Sequence, residues 1–290
     1  MTDQNKAYIY AGLAVLFWST VASAFKISLR YVDYLQLLFF SSFVSLTVLF
    51  IVLAAKRKLP LLRRQSASDL ARSALLGFLN PFLYYIVLFK AYSILPAQEA
   101  QPLNYTWPIM IVLLSIPILG QRIKPLGVIA VFISFCGVLV ISTHGDVLGF
   151  RFTNPGGAAL ALGSSTIWAT FWIYNLRDKR DAVLKLFLNF AFGFIYLLVA
   201  VPLVSDVAVP EVGGIIGVAY VGLFEMGITF VVWMTALKLS VTTAKVSNLI
   251  YLSPFISLFF IRTIVGEVIL PSTIVGLILI VGGILLQRRG

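Results

Sequence analysis

Cysteine, histidine and charged residues are scarce in this chain of 290 residues. The one cysteine, Cys136, has no second cysteine with which to form a disulfide, and with the one histidine, His144, it supplies too few ligands for a zinc site. Only 11% of the residues are charged, whereas 60% are hydrophobic and the mean hydropathy is +0.99. This composition predicts a multi-pass membrane protein with no metal and no cofactor.

Ten apolar stretches are long enough to cross a bilayer as helices, because a crossing needs about 20 residues. The connections between them are short and leave no room for a soluble domain. The predicted fold class is therefore all-α and polytopic, with ten transmembrane helices. The predicted spans lie at about 8–29, 32–55, 69–94, 97–118, 124–142, 155–176, 181–203, 212–237, 242–261 and 271–287.

Residues 103–137 and 249–283 carry the same pattern at an offset of 146, with eight of thirty-five positions identical. The matches fall mostly at kinks, turns and packing positions: Tyr105, Pro108, Gly120 and Pro125 return as Tyr251, Pro254, Gly266 and Pro271. We predict two domains of five helices each, 1–145 and 150–290. Since five is odd, the second domain enters the bilayer inverted, as in alternating-access transporters.

The net charge of +11 is explained by topology. The basic residues are spread through the loops and no separate domain is available to hold a duplex or a strand, so we expect no nucleic-acid partner. With the N-terminus inside, seventeen of the 22 basic residues fall on the cytoplasmic side. The positive-inside rule therefore places both termini in the cytoplasm.

Polar and aromatic residues concentrate near the middle of several spans, where inverted-repeat transporters bind their substrates. A polar stripe on the fourth helix and another on the ninth face the bundle or a water-filled cavity, because facing lipid is costly. Interhelical hydrogen bonding and core packing are the alternatives. The predicted substrate-pathway residues are Trp18, Ser19, Asn80, Tyr84, Asn104, Tyr105, Trp107, Trp168, Glu225, Asn248 and Tyr251.

Glu225 is the deepest charged residue, and it aligns with Leu79 at the offset of 146. We interpret it as a partner for a substrate amine or as a proton acceptor; a protonated or hydroxyl-capped carboxylate is the alternative. Lys26, Lys90 and Glu99 lie in the outer third of their spans, where they are predicted to line the outer mouth. Their depth permits an ion pair between Lys26 and Glu99.

Four of the prolines inside predicted helices are candidate bending points, because proline removes a backbone hydrogen bond and bends the chain. They are Pro81, Pro102, Pro108 and Pro254. We interpret them as bending points during transport, although proline kinks also occur as static features.

Several motifs resemble the ten-helix branch of the drug/metabolite transporter superfamily, with its EamA-type repeats. They are Phe17-Trp18-Ser19-Thr20 followed by Lys26, Gly266-Glu267 before a proline, and the pair Gly276 and Gly283. Within that superfamily the segment AQEAQPLNYTWPIMIVLL, residues 97–114, is similar to the aromatic amino-acid exporters. In the first repeat the Gly-Glu ending is replaced by Gly120-Gln121.

The resemblance implies export of amino acids, including aromatic ones, and of related small metabolites across a bacterial inner membrane, by a monomer or weak oligomer. The matching residues are Trp18, Glu99, Asn104, Tyr105, Trp107, Pro108 and Trp168. One rival interpretation is efflux of drugs or lipophilic cations. A more remote one is a membrane enzyme acting on lipid phosphates, which would need a cluster of charged residues at one interface that the sequence does not contain.

Overall fold

The computed structural model describes residues 2–120, 125–149, 152, 154–205, 207–241, 246 and 248–287, apart from the side chain of Asn248. These residues form helices and connections, with no strand among them. The helical segments are α1 (Asp3–Ser28), α2 (Tyr34–Ala55), α3 (Ala67–Ile94), α4 (Ala97–Leu119), α5 (Pro125–Ser142), α6 (Pro155–Arg177), α7 (Ala182–Val204), α8 (Val212–Leu239), α9 (Leu249–Val265) and α10 (Pro271–Gln287).

Within the described residues, seven helices are long and apolar enough to cross a membrane: α1 to α5, α7 and α8. Helices α9 and α10 are apolar but shorter. The all-helical, membrane-spanning class follows from these segments. The full count of ten crossings remains a prediction.

The connections between helices gather at two opposite ends of the bundle. At the terminal face, which holds residues 2–4, 56–66 and 178–181, the backbone N–H of Val241 donates to Gln4 and the Lys58 ammonium pairs with Asp181. At the far face, which holds residues 29–33, 95–99 and 265–270, Ser205 donates to Asp33. In the described parts of the chain, successive connections fall on alternate faces.

Helices α5 and α10 pack with their backbones in close approach, because glycines occupy the contact. A methyl group on Gly137 would come within 2.5 Å of the Gly276 carbonyl oxygen, and one on Gly283 within 2.6 Å of the Ala130 carbonyl oxygen. Small residues allow this approach in membrane helices. Gly137 and Gly283 are equivalent under the offset of 146.

Two groups of helices enclose the centre of the bundle. Group A contains α3, α4 and α6, which are joined by hydrogen bonds such as Thr106 Oγ1 to Ser165 Oγ at 3.0 Å. Group B contains α1, α8 and α9, in which α1 packs along both of the others. Helices α2 and α7 pack together beside these groups. The offset of 146 relates α1 to α6, α3 to α8 and α4 to α9. The two groups therefore have equivalent contacts, because α1 packs against α8 and α9 as α6 packs against α3 and α4.

Several of these helices are interrupted. Helix α4 breaks at Tyr105 and Thr106 and restarts at Trp107, and in α9 a 3-10 segment, Asn248–Leu252, precedes Ser253–Phe260. Pro108 and Pro254 occupy the first turn of the restarted segments, where the missing N–H of proline costs nothing. The two prolines therefore mark helix starts in the middle of the bundle.

Candidate functional site

A cavity of about 320 Å³ lies between group A and group B. Its volume is at the lower end of small-molecule pockets, which run from about 300 to 1,000 Å³. The walls come from α1, α3, α4, α6, α8 and α9. The lining residues are Trp18, Val21, Ala22, Phe25, Tyr84, Leu88, Tyr92, Gln101, Asn104, Tyr105, Trp107, Ile111, Trp168, Trp172, Leu176, Glu225, Trp233, Leu237, Ile250 and Tyr251.

All five tryptophans of the chain line this cavity. Trp18 of group B stands edge-on to Trp233, with ring centroids 5.5 Å apart. Trp168 of group A lies 4.6 Å from Tyr84 and 5.8 Å from Phe230 of group B. Such pairs fix the orientation of the rings, and their flat faces form a rigid apolar wall.

Glu225 supplies a carboxylate to the cavity wall, at the end of the π-helical turn Val221–Glu225 in α8. The hydroxyl of Tyr85 donates to Glu225 Oε1 at 3.1 Å. Tyr85 is fully buried and Glu225 is 8% exposed, so the carboxylate is held from behind and its remaining acceptor positions face the cavity. A single donor leaves most of its hydrogen-bonding capacity for a ligand.

Two amides of α4 complete the polar part of the wall. The Asn104 Nδ2 donates to Ser164 Oγ at 2.9 Å, and its Oδ1 accepts a long bond of 3.4 Å from the Tyr84 hydroxyl. Gln101 lines the cavity at 3% exposure, and its Oε1 has no hydrogen-bond partner in the protein. A buried acceptor without a partner is costly, and the Gln101 Oε1 is buried behind the cavity surface in this conformation.

Aromatic packing closes the cavity at the far face. The ring of Phe25 on α1 lies 4.7 Å from that of Phe89 and 5.0 Å from that of Tyr92, both on α3. All three side chains are buried. The Lys26 ammonium donates to the carbonyl oxygens of Tyr92 and Leu95, each at 2.9 Å. These contacts tie group B to group A.

A second contact at the far face joins the α9–α10 connection to the start of α4. The Glu267 carboxylate accepts from the backbone N–H groups of Ala97 (2.8 Å) and Gln98 (3.1 Å). This is the favoured position for an anion, since the first N–H groups of a helix lack partners. Gln98 donates to the Val268 carbonyl at 2.7 Å and accepts from the Leu270 N–H at 2.8 Å. Glu267 and Gln98 thus bind α4 to the α9–α10 connection.

The ion pair that the depth of Lys26 and Glu99 permits is not formed in this structure. Glu99 is bonded to His144, with Nε2 and Oε1 2.6 Å apart, and its side chain is 3% exposed. The Lys26 ammonium instead binds backbone carbonyl oxygens at the end of α3, because they lie on the same side of α1 as the lysine. His144 follows α5 and has a positive φ of 52°. The sequence carried no signal for its bond to Glu99, because the two residues are 45 positions apart.

The cavity continues toward the terminal face. Leu176 at the end of α6 and Leu237 near the end of α8 both line it, and Leu176 is 72% exposed. Bonds at this end include Arg177 to the Ile118 carbonyl within group A and Gln4 to Val241 beside group B. Among the described lining residues Leu176 is the one that is exposed, so the described part of the wall is least covered at the terminal face.

Comparison with known proteins matches one family model to this chain twice. A model described as the EamA-like transporter family matches residues 5–143 and again residues 155–288. The chain belongs to the EamA-like transporter family. It is therefore a polytopic membrane protein of a transporter family.

Two curated relatives of this EamA chain are named as exporters. The aromatic amino acid exporter YddG of Ancylobacter novellus is 25% identical over 159 residues, 54% of this chain and 55% of that one. The chain thus matches only about half of that exporter's length. The probable terminal-alkyne amino-acid exporter of Streptantibioticus cattleyicolor is 28% identical over 292 residues, 98% of this chain and 94% of that one.

A solved structure, titled only as the crystal structure of a protein, has the same fold. It superimposes with a TM-score of 0.66 at 22% identity and covers 98% of each chain.

Most of the predicted pathway residues line the cavity of this EamA protein, but some lie elsewhere. Ser19 is fully buried and donates to the Val15 carbonyl and to Ser253, so it joins α1 to α9. Asn80 lies at the kink of α3, fully buried and outside the lining. The Lys90 ammonium stands 5.0 Å over the ring of Tyr34. The side chain of Asn248 lies outside the described residues.

The predicted bending prolines fall into two kinds. Pro81 follows Asn80, whose backbone is non-helical at φ −150° and ψ 118°, and Pro102 lies within the continuous segment Ala97–Asn104. Pro108 and Pro254 start new helical segments beside the cavity. Their role in gating stays a prediction.

Sequence reasoning did not select Phe25, Tyr92 or Trp172 as site residues. A helical signal was present, because Trp172 is one turn from Trp168 and Tyr92 is two turns from Tyr84. Phe25 is seven residues after Trp18 and shares its face of α1. The structure places all three in the cavity wall.

Proposed function

We propose that this EamA protein exports amino acids with aromatic or other apolar side chains by alternating access. The observation that carries the proposal is the central cavity, in which five tryptophans surround one carboxylate between two helix groups. Tryptophan and tyrosine rings suit an apolar side chain, and Glu225 suits an ammonium group. The two relatives named as amino-acid exporters agree with this substrate class.

The proposed topology has ten crossings, arranged as two inverted five-helix domains, 1–145 and 150–290. Two matches to one family model support the duplication, and the alternating connections support the crossings. Loop residues Lys56, Arg57, Lys58, Arg63 and Arg64 lie at the terminal face. By the positive-inside rule this face is cytoplasmic, as expected for both termini in a bacterial inner membrane.

In this topology the observed state is open to the cytoplasm and closed to the outside. Substrate enters past Leu176 and Leu237 and places its ammonium at Glu225. The two groups then rock about the cavity, so that the contacts of Phe25 and Glu267 part and the cytoplasmic end closes. The helix interruptions before Pro108 and Pro254 supply points at which α4 and α9 bend.

The test is transport in proteoliposomes that contain the purified protein and trapped unlabelled phenylalanine. Uptake of labelled phenylalanine by exchange is expected for the wild type and a strong decrease for Glu225→Gln, because the carboxamide removes the negative charge while keeping the shape. Glu211→Gln, an exposed glutamate at the far face, serves as the matched control. If wild-type liposomes exchange no amino acid from a panel of aromatic and aliphatic members, the proposal is wrong.

Efflux of lipophilic cations is the second candidate, favoured by the same carboxylate within an aromatic wall. The same liposomes distinguish the two when a labelled organic cation replaces the amino acid.

A further inference from the structure

The charge of the cavity wall is one-sided. Glu225 is the acidic residue of the lining, and the lining within the described part of the chain contains no lysine, arginine or histidine. Lys26 lies nearby, but its ammonium donates to the carbonyl oxygens of Tyr92 and Leu95. A ligand against the described wall therefore meets one side chain with a carboxyl group and none with a basic group.

The faces of the aromatic rings in the wall also carry a negative electrostatic potential. Tryptophan presents the most favourable ring face for a cation, and cages of aromatic rings are a known means of recognising ammonium groups. Trp18 and Trp233 approach one another from α1 and α8, and Trp168 and Tyr84 from α6 and α3. Rings on both sides of the cavity thus face a bound ammonium.

The unpartnered amide oxygen adds an acceptor to this wall. Gln101 is 3% exposed and its Oε1 has no partner in the protein, while the Glu225 carboxylate has one donor, Tyr85. An ammonium group carries three donors. The Glu225 carboxylate on α8 has acceptor positions left for them, and the Gln101 Oε1 on α4 reaches the ligand when its side chain turns toward the cavity.

A substrate carboxylate has no matching charge in the same wall. Neutral donors are available from the tryptophan indoles and tyrosine hydroxyls, but the Asn104 Nδ2 already donates to Ser164. A carboxylate held within the same small cavity as Glu225 is repelled by it, and the low dielectric of the interior strengthens the repulsion. The cavity therefore accommodates the α-carboxylate of an amino acid, but this carboxylate does not increase the affinity of the ligand.

We propose that this cavity recognises its ligands through the ammonium and the apolar group, so that aromatic and aliphatic amines without a carboxylate bind more tightly than the corresponding amino acids. The inference rests on the proposed transport function and narrows its substrate class. It makes decarboxylated amino acids substrates or competitive inhibitors of the exporter.

Binding to purified wild-type protein is measured by the intrinsic fluorescence of the tryptophans, since all five line the cavity. Three probes share one skeleton: phenylalanine, phenethylamine, which lacks the carboxylate, and 3-phenylpropanoate, which lacks the ammonium. Phenethylamine is expected to bind about tenfold more tightly than phenylalanine, and 3-phenylpropanoate is expected not to bind. Each probe is also tested as a competitor of labelled phenylalanine exchange in proteoliposomes.

Glu225→Gln is expected to reduce the advantage of phenethylamine to less than about threefold, whereas Glu211→Gln is expected to keep it. Gln101→Leu provides an independent variant with a smaller decrease in amine affinity. If phenylalanine is exchanged but phenethylamine binds no more tightly than it does, the inference is overturned and the proposed function stands. If no amino acid is exchanged while phenethylamine binds at Glu225, the export proposal fails and amine recognition stands.

Discussion

The two ends of the central cavity are built differently. At the far face, Phe25 packs against α3, Lys26 binds two carbonyls and Glu267 caps α4, so group A and group B are joined by apolar packing and by charge-assisted bonds. At the terminal face, the cavity runs out past Leu176, which is 72% exposed. Under the proposed alternating access, this structure represents one side of the cycle, and a small set of identifiable contacts holds the far end closed.

The difference between the ends has a counterpart in the sequence. Gly120 and Gly266 are equivalent under the offset of 146, and both end a helix in the left-handed conformation, with φ of 66° and 84°. Glutamate follows the second glycine, whereas Gln121 follows the first. A carboxylate is the stronger cap of a helix N-terminus, since it adds charge to hydrogen bonding. The cap made by Glu267 is observed, whereas Gln121 lies outside the described residues.

Cross-linking the closed end is expected to have the largest effect. With Cys136 replaced by serine, the pair Phe25→Cys and Tyr92→Cys is joined by a short bifunctional thiol reagent. Amino-acid exchange in proteoliposomes is expected to fall to background, because the outward opening requires these rings to separate, and to return on reduction.

The matched pair for this experiment is Leu176→Cys with Leu237→Cys at the open end. It is expected to cross-link only with a longer spacer. Rapid joining of this pair by the short reagent would contradict an open terminal end.

Weakening the Glu267 cap is expected to have the next largest effect. In a Cys136→Ser background with Ala22→Cys as a reporter in the cavity, Glu267→Gln should increase labelling by an impermeant maleimide from the far side. Glutamine keeps an acceptor but loses the charge at the helix N-terminus, which costs about 0.3–1 kcal/mol and corresponds to about 2- to 5-fold in labelling rate.

Glu211→Gln is the control for the Glu267 variant, since Glu211 is exposed on the same face. An unchanged labelling rate in Glu267→Gln would show that the cap does not hold the far end closed.

The pair of Glu99 and His144 is expected to contribute to stability. His144→Ala leaves a buried carboxylate without its partner, which costs about 1–3 kcal/mol. Thermal unfolding in detergent is expected to show a lower Tm. His144→Gln retains a donor on the same strained backbone and should recover part of the loss; equal Tm values for wild type and His144→Ala would refute the role of the pair.

The smallest effect is expected at the terminal face, where Lys58 pairs with Asp181. Burial raises the pKa of Asp181, but the hydrogen bond from Lys58 and the backbone N–H bonds outweigh it and leave this pKa below its ordinary value. Stability from Asp181 is therefore present above the ordinary pKa of about 3.9 and is lost as the pH falls through the lowered value.

Lys58→Met should accordingly lower stability at neutral pH by at most about 1 kcal/mol, and by less at a pH below the lowered pKa. The measurement is thermal unfolding at both pH values, with the exposed Lys56→Met as control. A decrease of the same size for both variants would show that the pair contributes nothing specific.

The positions where the repeat departs from itself are informative about the site. Asn104, Trp107 and Glu225 differ from their repeat equivalents, and all three line the cavity. A duplicated scaffold keeps its bending and packing residues, while the residues that contact one ligand diverge. Ser19 and Asn80 misled the sequence interpretation because a buried polar group has the same periodicity whether it lines a cavity or contacts a neighbouring helix.

Sequence by itself determined the apolar helices, the duplication and eight of the twenty residues of the cavity wall, because hydrophobic length, periodicity and repetition are local or regularly spaced. Only the tertiary structure decided which end is closed and which partner each charged group has. Lys26 binds carbonyls and Glu99 binds His144, since a buried charge takes the nearest group that satisfies it. That proximity depends on how helices distant in sequence pack, and no local pattern encodes it.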